Sequence, residues 1–297
     1  MHAYTKLEPS GPHAHDVELA GHSAVPRRHD DATQRPRPKL AYRRIFTANV
    51  RLTLLAHALL HFHLAAFGTL WVLLLSTPRQ AAAPAPAAGE QGHGGGRGFT
   101  LAFAGGLGLP PQTIGLAIGI IGALGLCAQF GLYSRTVHRL GVLRAFRLAL
   151  RVFPLVYLLA PLLALLPPPA FRSASPGEQQ QRQQHHTLTP SAWLALLALL
   201  ALHVAGRTFV LPTIQILVNN CSPHPSVLGA VHGVGQSVSS GARTLGPVVG
   251  AALFALGLRA GVGGAAWWAL AVEAVLACVA GAWVRDGSGH EIWLEGD

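Results

Sequence analysis

Residues 231–257 read VHGVGQSVSSGARTLGPVVGAALFALG. The run is almost wholly small or apolar, yet it carries His232, Gln236 and, near its middle, the permanently charged Arg243. The apolar stretch around it, about 227–256, is long enough at ~1.5 Å per residue to cross a hydrocarbon core of ~30 Å. A charge at such depth costs several kcal/mol unless it meets water or a partner. At ~100° per residue, His232, Gln236, Ser239, Ser240 and Arg243 gather on one side of a helix, and Val231, Val234, Val238, Leu245 and Val249 cover the other. One face suits lipid or packing; the other is wet. Arg243 is therefore expected to look into a polar cavity between membrane helices. Gly229/Gly233, Ser237/Gly241 and Gly246/Gly250 are small-xxx-small pairs that permit close helix approach. Gly246-Pro247 marks a kink or a packing notch.

The same texture extends outward. The chain has 297 residues, 51% hydrophobic and 11% charged, about half the charged fraction of a typical soluble domain. Six apolar spans are expected, at about 47–75, 112–133, 145–166, 192–218, 227–256 and 263–284. The fold class is thus an all-α polytopic membrane protein, with the membrane domain at 46–285. Residues 1–45, rich in Pro, His, Asp and Arg without apolar periodicity, are expected to be a disordered tail. Residues 286–297 form a second tail. The loops at 76–111 (APAPAAGEQGHGGGRG) and 167–191 (PPPAFRSASPGEQQQRQQHH) look flexible and low in complexity. His185 and His186 belong to the latter and are better read as loop than as a metal site.

Basic residues orient the chain. The tail holds Lys6, Arg27, Arg28, Arg35, Arg37, Lys39, Arg43 and Arg44, and the link between the second and third spans holds Arg135, Arg139 and Arg144. The two long loops hold only Arg79 and Arg97, and Arg172 and Arg182. The tail and that link are expected to face the cytosol, and six spans return the C-terminus there. The net charge of +10 does not indicate nucleic acid, because the arginines flank apolar runs and form no patch with interleaved aromatics. Cys127, Cys221 and Cys278 are too few and scattered for a disulfide framework or zinc cluster. The N-terminus lacks the charged-then-apolar start of a signal peptide.

Other polar residues sit inside spans. His203 and Arg207 lie four apart in the fourth, with Gln215 about two turns on. His57 and His61 are likewise four apart in the first, with His63 nearby, and Glu273 lies midway along the sixth. Arg207 or Arg243 could pair with Glu273 to hold helices together. Alternatively, two deep arginines against one carboxylate leave a positive surplus suited to an anionic substrate. The histidines fit either a Zn²⁺ site or proton relay, or hydrogen-bonded packing and cavity lining. GxxxxGK[ST], HExxH and GxSxG motifs are absent. No enzyme activity, cofactor or resident metal is expected.

Residues 219–254, NNCSPHPSVLGAVHGVGQSVSSGARTLGPVVGAALF, resemble the loop and eleventh helix of major facilitator superfamily transporters, especially the fungal drug/proton-antiporter-like branch related to zinc-induced-facilitator-like proteins. LGPVVGA (245–251) looks like that family's Gly-Pro-x-x-Gly element, with Gly246, Pro247 and Gly250 as packing residues. HRLGVLR (138–144) resembles its cytosolic loop motif, Asp-Arg-x-Gly-Arg-Arg: Arg139, Gly141 and Arg144 match, and His138 replaces the Asp. GSGHEIWLEGD at the C-terminus is similar to the same branch. The resemblance covers about 40–297 and implies helices seven to twelve, one half of a bundle whose cavity lies between two six-helix halves. It implies that spans one, two, four and five line the cavity while three and six pack outside, so Glu273 would not touch substrate. The expected function is transmembrane transport of a small organic solute, with proton coupling. Arg243, Gln236, His232, Arg207, His203, His57 and His61 would line the cavity, and Arg139, Gly141 and Arg144 would form a gating loop. Expected partners are the lipid bilayer, the solute, protons, and a second six-helix half or a second copy; nucleic acid is not among them. The expected place is a plasma or vacuolar membrane with both termini cytosolic. The half-length also admits a truncated, non-transporting membrane protein acting as a regulatory or assembly partner.

Overall fold

The computed structural model describes residues 40–78, 105–165 and 189–294. The expected disorder of residues 1–39, the centres of both long loops and His185-His186 lie outside the described residues. Six helical stretches are long and apolar enough to cross a membrane: Ala48–Ser76, Pro111–Leu140, Val142–Leu165, Pro190–Asn220, Pro225–Arg259 and Ala265–Trp283. The protein is an all-α, multi-pass membrane protein built on these six helices.

Local chemistry sets the ends of these spans. The Thr47 hydroxyl accepts the Val50 N–H at 3.3 Å and starts the first span. Thr189 caps the fourth in the same way through Ala192, at 3.3 Å. The third span is interrupted at Arg151 and ends in 3₁₀ turns over Ala160–Leu165. Its prolines explain this, because Pro154 and Pro161 have no N–H to give to the carbonyl four residues back. For Pro154 that carbonyl belongs to Leu150, and the Cys278 thiol of the sixth span donates to it at 3.4 Å. Pro212 is absorbed inside the fourth span, where the Thr213 hydroxyl donates to the Phe209 carbonyl at 2.6 Å.

The first span is the spine. It packs most extensively along the fifth and next along the sixth. Leu60, Phe67, Leu70, Trp71 and Leu74 from the first span meet Phe146, Phe153 and Tyr157 from the third, Leu196 and Leu200 from the fourth, and Trp267 from the sixth. Close approach to the fifth span depends on Gly246: a Cβ there would lie 2.5 Å from the Phe62 carbonyl. Gly250 faces Ala66 and Leu70 at ordinary contact distance, whereas Gly229, Gly233 and Gly241 face open space. Of the three small-residue pairs, only Gly246/Gly250 packs within the described residues. Leu155, Leu158, Val272, Leu276 and Val279 leave the outer flanks of the third and sixth spans apolar and exposed.

One end of the bundle is tied by polar contacts. Arg147 donates to the carbonyls of Gly281, Ala282 and Val284, at 3.3, 2.9 and 2.8 Å. Asn49 pairs with the Arg285 backbone in both directions, at 3.1 and 2.9 Å. Asn220 donates to Asp286 at 2.9 Å, and the Glu291 and Ile292 N–H groups reach the Pro223 carbonyl. A small core beneath joins Leu40, Ile45, Val50, Cys221, Val227 and Val231, with Ile292 and Leu294 against it. Residues 40–45 belong to the folded body, because Leu40 and Ile45 are buried, and a helical turn spans Tyr42–Ile45. Residues 286–294 are laced onto the turn between the fourth and fifth spans. At the opposite end, the 76–111 loop is fixed where it is described: Leu107, Gly108 and Leu109 donate to Leu74, Thr77 and Leu75, satisfying carbonyls that end the first span.

Candidate functional site

The fifth span presents its polar stripe to open space. Gln236, Ser240 and Arg243 are exposed, His232 is half-buried, and Ser239 turns inward. Arg243 donates to the Ser240 hydroxyl at 3.3 Å, and His232 lies 3.4 Å from the Asn219 side-chain oxygen. Pro247 sharpens the polarity, since it has no N–H for the carbonyl of Arg243, four residues earlier.

The first and fourth spans add a second row. Gly235 leaves a gap in the fifth span, where a Cβ would lie 3.8 Å from His57 Nδ1. The His57 and His61 rings meet edge-on at 4.6 Å, and the Gln215 amide is 3.4 Å from His57 Nε2. Both histidines are buried, and His57 Nδ1 and His61 Nε2 have no hydrogen-bond partner among the described residues. Both lie within electrostatic reach of Arg243. His57, His61 and Gln215 therefore gather where the first, fourth and fifth spans meet, within reach of Arg243.

Arg207 lies elsewhere. It is exposed and lines a cleft of about 290 Å³ between the second and fourth spans, together with Gln129, Thr208, Pro212, Gly122 and Gly125. Gln129 opens a π-helical turn over Gln129–Tyr133 in the second span, an irregularity that recurs at functional positions. His203, four residues before Arg207, is 2% exposed and stacked on Phe67 at 3.6 Å. The spacing that suggested one shared face thus separates into a buried imidazole and an exposed guanidinium. Glu273 is not paired with either arginine: both its carboxylate oxygens are buried without a hydrogen-bond partner among the described residues. No group of three His, Cys, Asp or Glu is placed to hold a metal ion among the described residues, so the Zn²⁺ alternative gains no support.

The loop between the second and third spans turns at Gly141, whose φ of +79° lies in the region that glycine adopts freely. Arg139 and Arg144 flank it, both exposed.

A multidrug transporter of the major facilitator superfamily from Aspergillus fumigatus, mfsB, is 32% identical over 243 residues, covering 81% of this chain and 34% of the relative. The chain belongs to the major facilitator superfamily. Two further superfamily relatives, both named psiT2, are 26% identical in Psilocybe cyanescens and 24% identical in Psilocybe cubensis, each over 185 residues and 62% of this chain. They are covered to 33% and 34%. This superfamily chain thus spans about a third of the length of the curated relatives it matches. No family model matches it, and no solved structure matches it.

Four residues of this superfamily chain escaped the sequence reading. Arg147 and Asn49 tie spans together by bonding backbone, which no spacing rule announces. Gln129 sits in the cleft beside Arg207, and its only signal was polarity within an apolar run. Tyr157 was hidden in VFPLVYLL, where an aromatic ring reads as core.

Proposed function

We propose that this chain forms the C-terminal half of a proton-coupled secondary transporter for small organic solutes. Gln236, Arg243, His232 and Arg207 face the solute path, and His57 and His61 stand behind them. One observation carries the reading. Exposed polar side chains cluster on one side of the fifth span, while exposed Leu245 and Leu256, about half a turn away, are apolar. A membrane helix exposes such a stripe only to water or to a partner. The positive charge of Arg243 and Arg207 favours solutes with a carboxylate or another anionic group. Arg139, Gly141 and Arg144 form a cytosolic gating loop in this reading, and the polar collar of Asn49, Arg147 and Asn220 marks the cytosolic end.

Thiol accessibility in lipid vesicles tests the stripe directly. Cys127 is exposed and is first replaced by Ser. Single cysteines at positions 236, 240 and 243 should react quickly with a water-soluble maleimide, and those at 245 and 256 slowly. Equal or reversed rates would overturn the reading, since only the bilayer distinguishes these exposed positions. Solute flux under a pH gradient, with the chain alone or co-expressed with a six-helix N-terminal half, then tests transport. Arg243→Gln should lower flux of anionic solutes at least about tenfold, equivalent to about 1.4 kcal/mol, and spare neutral ones.

A further inference from the structure

The flank where the third and sixth spans lie side by side holds arginines that the fold does not use. The two spans approach closely near one end: a Cβ at Gly281 would lie 2.8 Å from Leu150 Cδ2 and 3.1 Å from Phe146 Cε1. Arg147 serves the carbonyls of Gly281, Ala282 and Val284 there, and exposed Trp283 lies among them in the chain. An exposed tryptophan at the end of a span marks the level where hydrocarbon gives way to headgroups. At ~1.5 Å per residue, Arg144 is ~4.5 Å nearer the water than Arg147, and Arg151 is ~6 Å deeper. Both Arg144 and Arg151 are exposed, and neither has a hydrogen bond or salt bridge to the described residues.

Around these two charges the surface is oily. At ~100° per residue, Arg144, Leu148, Arg151, Leu155 and Leu158 share one side of the third span, and all five are exposed. Val272, Leu276, Val279 and Trp283 make an exposed row of the same spacing on the sixth. The flank is thus cationic toward one end and apolar further in. The protein supplies no counter-charge: the third span has no Asp or Glu, Glu273 buries both carboxylate oxygens, and Asp286 accepts from Asn220 at 2.9 Å. A guanidinium on the outside of a span is costly unless it reaches an anion or water. Its long stem lets it reach back toward the headgroup level. A lipid phosphate lies at that level and suits the guanidinium fork. A zwitterionic headgroup brings its own cation to compete for the phosphate; an anionic one does not.

We propose that this flank is a binding site for one anionic phospholipid, with Arg144 and Arg151 holding the headgroup phosphate and the acyl chains lying along Leu148, Leu155, Leu276 and Val279. The site uses none of the residues assigned to the solute path and does not rest on the transport reading. Arg144 is shared with the proposed gating loop, so the readout is binding and not flux.

Native mass spectrometry of the full chain released from detergent tests it, with dioleoyl-phosphatidylglycerol and dioleoyl-phosphatidylcholine as the two probes. One phosphatidylglycerol should be retained at about a fifth or less of the concentration that phosphatidylcholine needs. Arg151→Gln and Arg144→Gln should each weaken phosphatidylglycerol retention about fivefold, as expected for one basic residue near a charged headgroup, and leave phosphatidylcholine unchanged. Arg259→Gln removes an equal charge from an exposed position at the far end of the fifth span and should change neither. Inorganic phosphate, the same chemistry without chains, should not displace the lipid. Equal retention of the two lipids, an equal loss in Arg259→Gln, displacement by inorganic phosphate, or a chain dimer that excludes lipid would each overturn the site. Arg144→Gln, at the exposed start of the third span, decides the question even where Arg151→Gln does not fold.

Discussion

Single residues in this molecule differ sharply in what they tolerate. An added methyl at Gly246 meets the Phe62 carbonyl at 2.5 Å and the Ala66 nitrogen at 3.1 Å, both backbone atoms that cannot step aside. Gly246→Ala should therefore cost about 1–3 kcal/mol through separation of the first and fifth spans. Gly250→Ala meets the Ala66 Cβ and Leu70 Cγ at 3.5 Å and the Ala66 Cα at 3.7 Å, all ordinary contacts, and should be neutral or slightly stabilising, since alanine is the better helix former. Thermal unfolding in detergent compares the two. The cysteines make a second contrast. Cys221, in the turn after the fourth span, is fully buried, and burial pushes its thiol from 9.0 up to about 11. It should resist iodoacetamide at roughly pH 8 while exposed Cys127 reacts. Because the folded thiol holds its proton above the pH at which an unfolded one loses it, this group takes stability away as pH rises past 9.0. Rapid labelling of Cys221 at neutral pH would show the inner turn to be loosely packed.

At the level of elements, the apolar spans were legible because six runs long enough to cross a bilayer leave few other architectures open. The polar stripe of the fifth span was legible for a related reason: residues at 100° intervals reveal a face even when the neighbour is unknown. What the sequence hid was contact between distant elements. His203 and Arg207 share a spacing, but Phe67 and Phe153 close over the first and leave the second open. Arg147 carries no distinguishing signal in the sequence, yet its guanidinium ends the sixth span by serving three carbonyls. Arg147→Leu should lower stability by about 2 kcal/mol through loss of those charge-assisted bonds, with hydrogen exchange rising first at residues 278–284. Arg147→Lys recovers only part, because an ammonium lacks the planar fork. Gly141→Ala forces an L-residue to φ +79° and should cost about 1–2 kcal/mol or reshape the turn between the second and third spans.

Across the whole molecule, burial is uneven. Half of the first span's most apolar window is buried, against 6% for the second. The second span exposes Leu116, Leu126, Phe130 and Leu132, and contributes only Ala117 as a buried residue. Its attachment rests mainly on the fourth span, along the cleft that holds Arg207. In bilayers without a partner, hydrogen exchange should therefore be fastest in the second span and slowest in the first. Co-expression of a complementary six-helix half should selectively protect the second and fifth. Uniform protection without the half would indicate that the isolated bundle already covers this face.

The paired Asn49 and Arg285 place the beginning and end of the membrane region within one hydrogen bond of each other. Two such modules can therefore be joined head to tail by a short soluble connector, with neither needing to turn over. Each arrives in the bilayer the same way up, so a gene fusion of this segment to itself would yield a twelve-helix chain of like-oriented repeats.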